Sequence, residues 1–203
     1  SGGHRWGPAR AEPARVKALV AGLCLPVMLS ACRAQEPRPA PTPEKAQAAK
    51  TPVKAAPSTP FASADPDVPA YVAPGLFDHK PVKLRELGGP LLVNVWAAWC
   101  RPCRREMPDL VKVHQKYASR GLQMVGISID RNLPPAQRLA RSAQLPYPQL
   151  HDPYNRASKA FDVEQLPATY LYDRKGLLTF NTLKELKADD PEFVAAIEAA
   201  LAP

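Results

Sequence analysis

From about Ala70 onward the chain falls into blocks whose apolar spacing separates strands from helices. Leu91-Leu92-Val93-Asn94-Val95-Trp96 is a short, almost continuous apolar run after Gly88-Gly89-Pro90, the pattern of a buried strand. Arg101 to Ala118 carries Met107, Leu110, Val111, His114 and Tyr117 at helical spacing, and Gly121 marks its end. Leu122 to Ile129 predicts a second strand, Pro135 to Ala143 a second helix, and residues 154–161 a short third one. Ala168–Tyr172 and Leu177–Asn181 flank Asp173-Arg174-Lys175-Gly176, a hairpin signature. Pro191 to Leu201 reads as an amphipathic helix with proline at its first position. Two strands joined through a helix run parallel, and two joined by a tight turn run antiparallel. The expected fold class is therefore α/β, a central mixed β-sheet with helices on both faces, over residues 70–203.

The first third has no such pattern. Arg15 and Lys17 precede Ala18 to Ala31, fourteen residues interrupted only by Pro26 and Ser30. A basic start followed by an apolar stretch of this length fits an export signal and is short for a membrane span. The run ends Leu29-Ser30-Ala31-Cys32, which resembles the bacterial lipobox. That resemblance implies cleavage before Cys32, lipidation of Cys32, and a signal peptide over 1–32. An uncut signal anchor or a buried helix is the alternative reading of the same run. Residues 33–69 are rich in Pro, Ala, Lys and Glu, with nine prolines. They have too little apolar surface to offset the entropy of ordering, so a disordered Pro/Ala-rich linker is expected there. Where extended as polyproline II it would span about 3.1 Å per residue.

Charge changes the picture only once it is divided along the chain. The formal net charge is +8. Residues 1–64 hold nine Lys/Arg against Glu12, Glu36 and Glu44, or +6, which leaves +2 for the remainder. The excess lies in the predicted signal and linker, and only Arg101, Arg104 and Arg105 cluster tightly in the second part. A nucleic-acid groove needs interleaved cations and aromatic platforms, so no nucleic-acid partner is expected.

The four cysteines form two unlike pairs. Cys24 and Cys32 lie in the apolar N-terminal run; Cys100 and Cys103 form a Cys-x-x-Cys after the first predicted strand. A stapled secreted scaffold would scatter its cysteines through the fold. Cys100 falls where a strand ends and a helix begins, the usual position of a site in an open sheet. Free N–H groups and the macrodipole there favour a thiolate, and Arg101 adds a fixed positive charge. Both effects should lower the Cys100 pKa below that of a free thiol. Cys103 lies one turn on, close enough for a disulfide to open and close with little backbone movement. The first thiolate would attack a substrate disulfide and the second would resolve the mixed disulfide.

Trp99-Cys100-Arg101-Pro102-Cys103 after a buried strand, Pro108 within the following helix, and Leu166-Pro167 before a late strand resemble thioredoxins. Cys-x-Pro-Cys-Arg-x-Glu-Met-Pro is closer still to the TlpA/ResA-like membrane-anchored bacterial thiol-disulfide oxidoreductases. The resemblance covers about residues 70–203. It implies a thioredoxin-like fold with no cofactor beyond a redox-active Cys100–Cys103 disulfide. It implies a cis peptide before Pro167, with Leu166 offering main-chain groups to an extended substrate segment by strand addition. Trp99, Arg101 and Pro102 would complete the substrate-binding side, with Trp96 and Trp99 packed around the site against water; plain core is the alternative for Trp96. Cytoplasmic thioredoxins carry a buried Asp six residues before the first cysteine; here Asn94 stands there. The TlpA/ResA group has a Glu three residues after the second cysteine, here Glu106, on the helix face of Cys103. Glu106 would tune the thiols and accept the Cys103 proton; its alternative is a solvated Glu serving the helix dipole.

The expected function is an extracytoplasmic reductant of protein disulfides on the periplasmic side, held by a lipid anchor and kept reduced by a membrane thiol transporter. Apocytochrome c haem-site cysteines, a copper-centre assembly protein or misoxidised proteins are the candidate targets. Other classes make distinct demands. A closed zinc site needs four ligands; the domain has no second Cys-x-x-Cys, and His79, His114 and His151 stand singly, so no metal is expected. A Cu(I)-binding metallochaperone-like module would use the two thiolates, although Sco-type relatives have Cys-x-x-x-Cys plus a histidine. A non-catalytic membrane-tethered interaction domain would not need both thiols. Peroxide reductases on this fold usually set the attacking cysteine in Thr-x-x-Cys, whereas Ala97 stands three residues before Cys100.

Overall fold

The computed structural model describes Phe61 and residues 67–202. The predicted signal peptide, Cys32, and the linker apart from Phe61 and residues 67–69 lie outside the described residues. Five strands form the main sheet: β3 (Leu91–Trp96), β4 (Gln123–Ser128), β5 (Gln149–His151), β6 (Ala168–Tyr172) and β7 (Leu178–Thr182). They are preceded by a small antiparallel pair, β1 (Val72–Pro74) and β2 (Pro81–Lys83). Four α-helices follow the chain: α1 (Arg101–Tyr117), α2 (Leu133–Ser142), α3 (Arg156–Ala160) and α4 (Pro191–Leu201).

The sheet order is β5-β4-β3-β6-β7. The β3·β4 and β4·β5 pairs are parallel, and the β3·β6 and β6·β7 pairs are antiparallel. The mixed sheet expected from the sequence is therefore present, with β3 at its centre. From β3 to β4 and from β4 to β5 the chain steps the same way across the sheet. Right-handed crossovers then place α1 and α2 on one face. Met107 of α1 and Ala136 and Ala140 of α2 do share a buried cluster with Trp96.

Strand alternation divides the core. Leu92, Met124 and Leu171 point to the α1 side and pack with Leu110, Val113 and Tyr117 of α1 and Phe193 and Ile197 of α4. Leu91, Val93, Val95, Val125 and Ile127 point the other way, onto Tyr71, Ala157 and Phe161. Both faces of β3 are covered, which is why its sequence is apolar without alternation.

The predicted helices and long strands agree with these elements to within two residues at most ends. Three differences have physical causes. In α1 the inward position is Val113, with Val111 only half-buried, because the buried face follows 103, 106, 107, 110, 113 and 117. Strands β1, β2 and β5 were not read from the sequence; each has three residues, too few to show a period of two. Val68 is fully buried and Phe61 packs on the same cluster. The packing thus reaches back into the stretch read as linker, because isolated apolar side chains can dock from a Pro-rich segment.

Candidate functional site

β3 delivers the chain from the middle of the sheet to the disulfide. After Trp96 the backbone turns over 97–100, with the Cys100 amide donating to the Ala97 carbonyl at 3.1 Å. The turn is tied to the neighbouring strand. Ala98 N–H donates to Asp130 Oδ2 at 2.8 Å, and the same oxygen accepts from Ser128 Oγ at 2.9 Å. Trp96 is fully buried and its indole Nε1 donates to Gln149 Oε1 at 3.0 Å. Two neighbouring strands thus fix the position from which α1 starts.

Cys100 is the N-cap of α1, in extended conformation, and Pro102 occupies the first turn, where a missing N–H costs nothing. The Cys103 amide donates to Cys100 Sγ at 3.2 Å. Cys100 and Cys103 form a disulfide with Cα atoms 5.3 Å apart. Cys100 keeps 4% of its surface and Cys103 none. In the reduced state the same helix start would surround Cys100 Sγ with unpaired N–H groups, which stabilise a thiolate.

Glu106, one turn beyond Cys103, is fully buried. Its Oε1 accepts from Asn94 Nδ2 at 2.9 Å and its Oε2 from the Leu186 amide at 3.1 Å. Asn94 Nδ2 also donates to Thr169 Oγ1 at 3.0 Å, which links α1, β3 and β6. Burial pushes the Glu106 carboxyl up to about 7. The bonds from Leu186 and Asn94 oppose the shift, Glu185 adds to it and Lys187 subtracts from it. Tyr147, buried nearby, has its phenol pushed up by burial and then by the Glu106 charge. A solvated Glu at the helix surface is not what the structure contains.

The Leu166–Pro167 peptide is cis, and β6 begins at the next residue. Pro167 is buried, while Leu166 is half-buried and packs on the cluster that contains both cysteines. A second cis peptide, Gly89–Pro90, precedes β3. Arg101 is exposed and Pro102 half-buried. Trp99 departs from the expectation of a packed shield: it is 68% exposed, because the 97–100 turn directs it outward while Trp96 alone enters the core. The sequence reading also missed Asp130, Gln149, Thr169 and the Leu186 amide. Ser128-Ile129-Asp130 at the end of a parallel strand was a legible signal; the other three are set by partners distant in sequence. No group of three or more His, Cys, Asp or Glu able to hold a metal occurs among the described residues.

A disulfide capping a helix at the centre of a mixed sheet, with a cis-proline before the adjoining strand, defines a thioredoxin-like fold with a Cys-x-x-Cys site. The chain belongs to the AhpC/TSA family, whose profile matches residues 66–181. It is similar to the thiol-disulfide oxidoreductase ResA of Bacillus cereus, 26% identical over 111 residues. That match covers 54% of this chain and 64% of the relative, less than two thirds of its length. ResA of Bacillus subtilis is 26% identical over 54% of this chain and 62% of its own. Among solved structures, a thiol:disulfide interchange protein of Chlorobium tepidum superposes with a TM-score of 0.58. It is 26% identical, with 72% of this chain and all of that one covered. A secreted Mycobacterium tuberculosis disulfide oxidoreductase, 21% identical with a TM-score of 0.56, shares the fold over 64% of this chain and 96% of its own.

Proposed function

We propose that this protein is an extracytoplasmic thiol-disulfide oxidoreductase that reduces protein disulfides through Cys100 and Cys103. The observation that carries the reading is the disulfide at the start of α1, with the Cys103 amide aimed at Cys100 Sγ and a buried carboxyl one turn further on. The names of the relatives, thiol-disulfide oxidoreductase and thiol:disulfide interchange protein, support the same chemistry.

In the reduced protein the Cys100 thiolate attacks one sulfur of a substrate disulfide, forming a mixed disulfide and releasing one substrate thiolate. Cys103 then attacks Cys100 Sγ, which frees the second substrate thiolate and closes the 100–103 bond. Two electrons pass to the substrate, whose two sulfurs end as thiols. Glu106, with a carboxyl that titrates near neutrality, takes the Cys103 proton during resolution. Leu166 has no backbone hydrogen-bond partner among the described residues. Its free main-chain groups suit strand-like pairing with a substrate segment, and Trp99, Arg101 and Pro102, which flank Cys100 in the chain, would complete the substrate contact.

The finer parts of the reading rest on the sequence. Signal-like residues 1–32 and Cys32 support export and a lipid anchor, and a secreted structural neighbour agrees with an extracytoplasmic site. A membrane thiol transporter would return the electrons. Apocytochrome c haem-site cysteines or a copper-centre assembly protein are the proposed targets. Insulin-disulfide reduction tests the central claim: the wild-type chain turns over and Cys100→Ser does not. Equal rates in the two would overturn it.

A further inference from the structure

The two most exposed large hydrophobic side chains among the described residues are Tyr154, at 83%, and Trp99, at 68%. Both stand at the end of the sheet where β3, β4 and β5 finish. Tyr154 lines a groove of about 650 Å³ together with Ile129, Arg131, Pro153 and Asn155. This groove adjoins the redox turn rather than lying apart from it. The Ile129 amide donates to the Trp96 carbonyl at 2.9 Å, and Ile129 packs on the cluster that holds Cys100 and Cys103. Asp130 holds the Ala98 amide, and its own carbonyl contacts His151 Nε2 at 2.8 Å. The backbone therefore brings Arg131 and Tyr154 to the end of the sheet from which α1 starts, on the β4 side of β3, whereas the Leu166 peptide leads into β6 on the other side.

The exposed charges on the start of α1 and after β4 are arginines. Arg101 and Arg104 lie one turn apart on the exposed start of α1. Neither they nor exposed Arg131 form an ion pair within the described residues, whereas the neighbouring Arg105 is tied to Glu185 at 2.6 Å. The carboxylates closest to them in the chain are buried and occupied: Glu106, two residues from Arg104, by Asn94 and Leu186, and Asp130, beside Arg131, by Ala98 and Ser128. Exposed Asp162 and Glu164 fall on the other side, in the segment leading to Leu166. Unneutralised guanidinium groups beside exposed aromatic faces suit a carboxylate-bearing chain: they offer fork-shaped donors and a surface for its apolar stems.

We propose that the groove of Ile129, Arg131, Pro153, Tyr154 and Asn155 is a specificity subsite that takes an acidic segment flanking the substrate's disulfide. The inference rests on the oxidoreductase reading and narrows its substrate class to proteins whose target cysteines are followed or preceded by Asp or Glu. Arg101, Arg104 and Arg131 select such a segment over a basic one, and Tyr154 supplies the contact area. The segment enters from the α1 and β4 side, and the acidic residues near Leu166 oppose entry the other way round.

The test is equilibrium binding, read by fluorescence anisotropy, of three labelled peptides to the oxidised full chain. The peptides have equal length, carry Ser in place of both cysteines, and are flanked by acidic, neutral or basic residues. Three exposed pairs at about twofold each predict that the acidic peptide binds about tenfold more tightly than the basic one. The gap should narrow as salt rises. Arg131→Glu should cut the preference to about twofold, since Arg101 and Arg104 remain, and Tyr154→Ala should weaken all three peptides alike. Equal affinity for acidic and basic peptides, no measurable binding of any, or a preference untouched by Arg131→Glu would each overturn the proposal. Because no cysteine reacts, the two failures separate: acidic preference in a chain that fails to reduce insulin would sink the oxidoreductase reading and leave only an acidic-peptide groove, whereas no preference in a chain that reduces insulin would sink the subsite alone.

Discussion

Replacing Glu106 by Gln removes one ionisable group from the middle of the Asn94–Thr169–Leu186 network and nearly preserves its shape. The magnitude follows from the titration of the buried carboxyl, which moves from an ordinary value near 4.5 up to about 7. Between those values the folded chain holds a proton that the unfolded chain has lost. Stability therefore falls as pH rises through that window. Above it, the wild type carries the whole cost of an ionised buried carboxylate, at most about 3 kcal/mol from 1.36 kcal/mol per pKa unit. His114 acts with the opposite sign, since burial lowers its pKa and its contribution is lost as pH falls. Both proteins share His114, so it cancels in the difference. Gln offers a single acceptor oxygen, so one donor of the pair loses its partner, an offset that does not vary with pH. The assay is urea denaturation of the oxidised proteins from about pH 4 to about pH 8. With the disulfide closed, neither cysteine titrates. The stability of Glu106→Gln relative to wild type should climb by up to about 3 kcal/mol across the series. A flat difference would refute the reasoning, because Glu106 would then ionise as a surface carboxylate does. In the reduced protein the same substitution should slow mixed-disulfide resolution about tenfold or more and remove its inflection near neutrality. Unaltered cysteine titration and resolution would end the proton-acceptor role.

Two further substitutions probe how the redox turn is held. A side chain added at Gly126 would collide with Gln149 Oε1, the atom that accepts from Trp96 Nε1. Gly126→Ala should therefore cost about 1–3 kcal/mol in chemical denaturation and change the buried tryptophan fluorescence; unchanged stability would show that Gln149 moves aside freely. Asp130→Ala removes the acceptor that ties Ala98 to β4. It should destabilise the protein by about 1–3 kcal/mol and lower insulin-reduction rates, whereas an active, equally stable variant would mean that the turn holds itself.

The Cys-x-x-Cys site was legible because its chemistry is local. Cys100, Arg101, Pro102 and Cys103 lie within four consecutive residues, and a helix start supplies the cap, the amide donor and the 5.3 Å approach without help from elsewhere. Glu106 was legible through the family resemblance and as a helix neighbour of Cys103, but its surroundings were not. Whether its carboxyl faced water or the interior depended on Asn94, Thr169 and Leu186, which come from three other segments. Trp99 and Trp96 show the same limit: near-adjacent and chemically identical, one is core and the other surface, because a turn held by Asp130 separates them.

By itself the sequence determined the long elements and their pairing sense, since a run of apolar residues has a period and a helix between strands has a handedness. It also determined the pair of sulfurs and the residue types around them. The tertiary structure alone decided β5, because three residues carry no period and that strand exists only through its pairing with β4. It decided the burial, and hence the proton affinity, of Glu106. It also decided the groove at the end of the sheet, where Arg131 and Tyr154 meet only because β4 and β5 end together.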